Sequence, residues 1–479
     1  MRRLGLALFL LLAGCRHLQT STAPAHEGPI VLITFDSLRA DAVGALGGEP
    51  GLTPNLDALV RQADWSGRGI ASSSWGAPSM ASLFTGLRPW QHQVLRAEDR
   101  LAPALLTLPE ALQAQGYETF GFSGEPMYSR ETGYDQGFGL LGSLGKGTEA
   151  AKRLKTLGSG QRFVWIHFSE PQAPYYRRPK LAARLGVQDL DLPFRVLPHQ
   201  LAPFFDPAVP LPPALRQRFR TMYRLNVAWA DDRLGRLLAA LRASGQWDRT
   251  LLVVTSTHGE EFGEKGQILN GGNLGRQLLE VPFLVKLPAG FGDEDGGREI
   301  AVPRDRRVAT ARLWATLVEA AGGRVPPAQA PSLFRKAPEA VLSELYLTNG
   351  TNRFSLVQGD DQLLWESSFA PPEPEYYRAR LARMSRGNAR IARAEISEPP
   401  DRILGRLLAG FLDTPPLTGR GGAPRLALER WEGWGSRPAG DPRRTAEMAA
   451  LLARTWSEFL PAELTPREEA REWYNADSP

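Results

Sequence analysis

Residues 72–86 read Ser-Ser-Ser-Trp-Gly-Ala-Pro-Ser-Met-Ala-Ser-Leu-Phe-Thr-Gly. A turn of small residues runs into Pro78, a type favoured at the first helical position, and the pattern from Ser79 onward predicts a buried helix. Such a turn brings free backbone N–H groups and the positive end of a helix dipole to one point, which suits a sulfate or phosphate oxyanion. A reactive side chain just ahead of the proline would lie against that anion. Gly76 stands there, so the place where a nucleophile is expected carries no side chain.

Pro78, Ser79, Thr85 and Gly86 resemble the signature of the sulfatase family in the alkaline phosphatase superfamily. That signature is Cys or Ser, any residue, Pro, Ser, Arg, then a helix ending in Thr-Gly. The resemblance implies that Gly76 replaces the Cys or Ser that matures to formylglycine, or the Thr of related phospho-transferases. It also implies that Met80 replaces the Arg that steadies the nucleophile and contacts the anion. Ser74 and Ser79 are the candidates for a displaced nucleophile; as residue types they also suit a turn and a helix cap.

The rest of the chain is arranged around this segment. Pro29–Asp36 is a short apolar run closing on a carboxylate, which predicts a buried parallel strand with Asp36 at its C-terminal end, where open α/β sheets place ligands. Asp36-Ser37, followed by Arg39-Ala40-Asp41, is similar to the family's metal-binding Asp pair, and Thr53–Leu59 continues the likeness. Arg162–Phe168 predicts a second buried strand running into Ser169–Tyr175, where Gln172 occupies the place of a family His; an amide can donate a hydrogen bond but cannot protonate a leaving oxygen. His167, in mid-strand, reads as a structural histidine. Residues 177–215 suggest a rim or lid.

A helix predicted over 215–244 stops at Gly245, and Thr250–Ser256 predicts another buried strand. It closes on Thr257-His258-Gly259-Glu260, similar to the family's second metal motif, with Thr257 in place of an Asp ligand. Lys265 and Asn270 replace two His residues that would contact substrate. Asp36, Ser37, Thr257 and His258 thus offer one carboxylate, two hydroxyls and an imidazole. Such a set would hold one Ca²⁺ or Mg²⁺ weakly or not at all, because these ions require several hard oxygen ligands. Glu260, Glu261 or Glu264 would compensate only if their loop folds inward.

Met1-Arg2-Arg3 followed by the apolar Leu4–Leu12 reads as an export signal, and Leu12-Ala13-Gly14-Cys15 resembles a bacterial lipobox. Cys15 is also the single cysteine of the 479 residues, which excludes an internal disulfide. The expected organisation is a signal peptide over 1–14, a lipidated Cys15 and flexible tether over 15–28, a sulfatase-like domain over 29–325, and a C-terminal subdomain over 326–479. The last contains antiparallel strands, a charged helical stretch at 371–410 and a closing helix at 445–459. The net charge of +5 is dispersed, with no basic run of the kind that binds nucleic acid.

The fold implied is an alkaline-phosphatase/sulfatase-like α/β three-layer sandwich with a mainly parallel central sheet and a small C-terminal α+β subdomain. Two functional readings stay open. One is a catalytically degenerate lipoprotein, tethered to the bilayer of the bacterial envelope, that binds a sulfated or phosphorylated glycan, a headgroup or an envelope protein; Arg16 after Cys15, in place of an inner-membrane retention acid, makes the outer membrane the expected destination. The other is an active sulfate or phosphate ester hydrolase or phospho-transferase with a displaced nucleophile.

Overall fold

The computed structural model describes residues 25–187, 195–196, 210–291, 299–326, 329–336, 340–347, 352–367, 425–432 and 435–458. The export segment, Cys15, most of the tether and residues 371–410 lie outside them. In chain order the first strands are β1 (Ile30–Asp36), β2 (Trp65–Ile70), β3 (Glu118–Ser123), β4 (Leu140–Ser143) and β5 (Arg162–Pro171). Next come β6 (Tyr175–Tyr176), β7 (Arg195–Val196), β8 (Leu251–Ser256), β9 (Glu261–Phe262), β10 (Ile268–Leu269), β11 (Glu280–Lys286) and β12 (Val308–Ala309). Helices α1 (Pro54–Gln62), α2 (Gly76–Thr85), α3 (Pro89–His92), α4 (Leu108–Ala114), α5 (Thr148–Lys155), α6 (Pro179–Arg184), α7 (Pro213–Ala243), α8 (Arg276–Leu279) and α9 (Arg312–Ala320) fill the connections.

Eight strands form the central sheet in the order β12-β2-β11-β8-β1-β5-β3-β4. Only β11 runs antiparallel to its neighbours, β2 and β8. The middle strands are buried from end to end because helices cover both faces, and this is why their sequences read as continuous apolar runs. Alternation divides them. Val31, Ile33 and Phe35 of β1 join Val164, Ile166 and Phe168 of β5 under α7, while Ile30 and Leu32 join Phe163 and Trp165 under α2, α4 and α9. Leu234, Leu237, Leu238 and Leu241 form the buried stripe of α7, each such side chain contributing about 1.5–3 kcal/mol.

The same alternation sets the chemistry. Thr34 and Asp36 follow Leu32 on the α2 side of β1, and His167 follows Trp165 on the α2 side of β5, with Thr34 opposite His167 in register. Polar residues therefore collect at the C-terminal ends of β1, β5 and β8, beside the start of α2.

Helix α2 begins two residues earlier than the sequence suggests, at Gly76, with Trp75 as its N-cap and Pro78 in the third position. The physical reason is that the whole first turn lacks intrahelical acceptors for its N–H groups, so proline is tolerated throughout it. Gly86 ends the helix at φ 68°, a conformation that glycine adopts without strain.

Strands β13 (Ala340–Tyr346), β14 (Asn352–Gln358), β15 (Asp361–Ser367), β16 (Arg425–Glu432) and β17 (Gly435–Pro438) make an antiparallel sheet in sequence order. A closing helix, Pro442–Glu458, sets Met448 and Leu452 against it. This sheet docks beside the α2 turn: Ser343 Oγ donates to Ala71 O at 2.7 Å, and Glu344 N donates to Ser72 O at 2.9 Å.

Candidate functional site

Two hydrogen-bond relays converge on Asp36, which is 1% exposed. In the first, Trp165 Nε1 donates to Thr34 Oγ1 at 2.9 Å. Thr34 is left to give its own proton to His167 Nδ1, also at 2.9 Å, so that His167 presents Nε2–H to Asp36 Oδ2 at 3.1 Å. The second runs through the loops. Ser37 Oγ donates to His258 Nε2 at 3.1 Å, His258 Nδ1–H donates to Thr257 Oγ1 at 2.8 Å, and the Thr257 hydroxyl donates to Asp36 Oδ1. An indole N–H can only donate, and this fixes the direction of the first relay. The second is the arrangement that gives each of its hydroxyls one proton to donate.

Charge follows from this packing. Burial works against ionisation of Asp36, but His167 and then His258 and Thr257 outweigh it and hold the carboxyl below its ordinary pKa. Burial lowers the His258 pKa to about 4, against the pull of Asp36, so its imidazole is neutral at pH 7. Glu260 is buried, with Tyr175 Oη donating to its Oε2 at 2.8 Å, and burial raises its pKa to about 8. Ser37 occupies the left-handed region at φ 63°, a conformation that costs a non-glycine residue about 1–3 kcal/mol and tends to occur at functional turns.

The four candidate metal ligands are thus brought together, but they bind one another. Asp36 has accepted a donor on each oxygen, and His258 has used both ring nitrogens. Glu264 is turned away into an ion pair with Arg39 at 2.8 Å, and Glu261 accepts from Lys265 N and Asn273 Nδ2. Among the described residues, no group of three or more His, Cys, Asp or Glu side chains is arranged to hold a metal ion. This donor set, one carboxylate with two hydroxyls and an imidazole, does not fit Mg²⁺ or Ca²⁺, which need a shell of hard oxygens with more than one carboxylate among them.

The α2 turn supplies few reactive atoms. Ser79 Oγ accepts from Ser73 N at 3.2 Å and donates to Ser73 O at 2.9 Å, an internal tie that closes the turn. Met80 is wholly buried in the apolar layer under α2 and does not line the site. Ser74 Oγ is buried and has no hydrogen-bond partner among the described residues. Gly76 faces a residue that sequence reasoning missed: a methyl group at position 76 would lie 2.7 Å from the Tyr128 hydroxyl and 3.6 Å from Asp36 Oδ1. Glu125, on the same loop as Tyr128, is also near enough for Asp36 to add to the effect of burial in raising its pKa.

Gln172 and Asn270 do meet. With Gln267, Leu269 and Gly271 they line a cleft of about 300 Å³. It adjoins the α2 turn, since Gly271 N donates to Ser74 O at 3.0 Å and Gly271 packs against Trp75. Lys265 lies elsewhere, paired with Glu429 of β16.

A sulfatase family model matches residues 29–152 and 147–323. The multifunctional alkaline phosphatase superfamily protein PehA of Trinickia caryophylli is 23% identical over 390 residues, covering 62% of this chain and 74% of that protein. The low-salt glycan biosynthesis sulfotransferase Agl7 of Haloferax volcanii is 24% identical over 272 residues, covering 55% of this chain and 53% of its own length. Among solved structures, phosphonate monoester hydrolase SpPMH from Silicibacter pomeroyi superposes with a TM-score of 0.59 at 17% identity, over 91% of this chain and 96% of that one. The order of strands, the two-sided helical cover and the match over residues 29–323 agree: this chain belongs to the sulfatase family.

Proposed function

We propose that this chain is an exported, lipid-anchored sulfatase-family protein that binds a glycan at the cleft beside α2 and does not cleave it. Sulfatase-family hydrolases are typically dependent on a divalent metal. The observation that carries the reading is the pair of relays ending on Asp36, which put a protein donor on each of its oxygens and engage both ring nitrogens of His258, leaving one carboxylate as the anionic ligand of the group. With Gly76 at the head of α2, attack, charge neutralisation and leaving-group protonation are weakened together.

The side-chain amides of Gln172, Gln267 and Asn270 both donate and accept, which suits sugar hydroxyls and uncharged faces of ester groups. A singly charged sulfate ester about 4 Å from an ionised Asp36 would meet repulsion of about 4 kcal/mol at an effective dielectric of 20. Sulfate or phosphate groups of a bound glycan therefore lie in the cleft, away from Asp36. Cys15 supplies the anchor in this reading, through the lipobox-like Leu12–Cys15.

A second reading keeps catalysis and rests on one atom, the unpartnered buried Ser74 Oγ. Calorimetry with sulfated and unsulfated oligosaccharides, alongside turnover assays with aryl sulfate and aryl phosphate, separates the two. Binding that weakens at least tenfold in Gln172→Ala or Asn270→Ala, without turnover, is the expected result. Turnover that disappears in Asp36→Ala overturns the non-hydrolytic reading.

A further inference from the structure

Gly76, which opens α2, and Tyr128 are separated in sequence by the rest of α2, by α3, α4 and β3, yet the side chain of one fills the space that the other leaves. The 2.7 Å separation between a methyl group at position 76 and the Tyr128 hydroxyl is closer than such atoms approach in folded proteins. The ring has little room to yield. Tyr128 is 2% exposed, with Tyr134 edge-on at 5.0 Å, His167 edge-on at 4.8 Å and Trp165 at 6.0 Å. Tyr134 is itself fixed, since its hydroxyl donates to Ala77 O at 2.7 Å in the first turn of α2.

The hydroxyl is buried beside Asp36, at a geometry short of a regular hydrogen bond. A tyrosine hydroxyl, with an ordinary pKa of about 10, is a poor nucleophile unless a base takes its proton, and none is hydrogen-bonded to it here.

We infer that the Tyr128 hydroxyl occupies the place of the missing attacking side chain and turns its proton toward Asp36, closing the reaction centre from within. The inference rests on the non-hydrolytic reading and deepens it. Gly76 becomes a requirement, because a side chain at 76 and the Tyr128 hydroxyl compete for one volume. Thr257 and His167 donate to the carboxylate on which a cation would depend, and the Tyr128 hydroxyl fills the space beside it.

Thermal unfolding of the purified protein tests the pair. Gly76→Ala lowers Tm by several degrees in the wild-type background and by clearly less in the Tyr128→Phe background, which lacks the clashing oxygen. Equal losses in the two backgrounds overturn the inference. A second measurement decides it even if Gly76→Ala does not fold: wild-type Tm stays constant as CaCl₂ or MgCl₂ is added, whereas a saturable rise overturns it. A wild type that binds no oligosaccharide sinks the proposed function and leaves this coupling standing, so the two failures are distinguishable.

Discussion

Arg39 Nη1 meets Glu264 Oε1 at 2.8 Å, and the same guanidinium grips Asp41 through Nε at 2.7 Å and Nη2 at 2.5 Å. It also donates to Glu260 O at 3.0 Å, so one buried cation ties the loop after β1 to the loop after β8. Burial disfavours its charge, but the two carboxylates outweigh that and raise its pKa. Arg39→Met leaves those carboxylates short of a partner and destabilises the protein by about 3 kcal/mol. That is the low end for a buried pair, because Glu264 retains Arg220 at 2.8 Å. The denaturant midpoint measures the loss; an unchanged midpoint would show that the two loops are held by other contacts.

His92 gives a pH dependence. Its Nδ1 accepts from Val94 N at 3.1 Å, which leaves the proton on Nε2 for Pro78 O at 3.1 Å, with Ser82 Oγ at 3.0 Å. Burial lowers its pKa to about 3, against an ordinary value of 6.5. Between these values the unfolded chain binds the proton and the folded chain does not. Stability from this group is therefore complete above about pH 6.5 and falls as the pH drops, by up to about 1.4 kcal/mol per pH unit. His92→Asn should flatten that slope in urea titrations at a series of pH values between 4 and 6.5. A slope identical to wild type would assign the effect to other groups.

The strands that carry Asp36 and His167, and the one that leads to Thr257, were legible because a strand covered on both faces is an apolar run, and a polar residue that interrupts or follows it stands out. Ser74, Gly76 and Ser79 were legible as a helix entry, although Pro78 was given the wrong helical position. Tyr128 was not legible. It sits in the irregular loop after β3, where no periodicity or cap marks it, and its partner lies 52 positions earlier in the chain. The one usable signal was indirect: a glycine where a side chain is expected leaves a volume that a close-packed interior must fill from elsewhere. Met80 was misplaced as an anion contact because position in a motif does not report burial; in the fold its side chain completes the apolar layer beneath α2.

Glu344 of β13 joins the C-terminal sheet to the main domain. It is fully buried, accepts from Trp90 N at 2.8 Å and Tyr346 Oη at 3.0 Å, and lies 3.1 Å from Arg88 Nη1. Glu344→Ala removes the carboxylate that pairs with the buried Arg88 guanidinium and is expected to cost about 3 kcal/mol. Limited proteolysis should then release the C-terminal sheet before the main domain is cut. Simultaneous loss of both would mean that the two parts unfold as one unit.

Ser74→Ala separates the two functional readings at the level of a single oxygen. A buried hydroxyl without a partner carries a desolvation cost of about 1–3 kcal/mol that no hydrogen bond returns. Removing it leaves Tm unchanged or raises it if the atom has no chemical role. If Ser74 instead attacks an ester, wild-type protein turns over aryl sulfate or aryl phosphate and the variant does not. A catalytic hydroxyl needs a base bonded to it, whereas Ser74 Oγ has no hydrogen-bond partner among the described residues and Asp36 accepts from His167 and Thr257. The expected result is therefore a variant at least as stable as wild type, with both proteins inert toward the aryl esters.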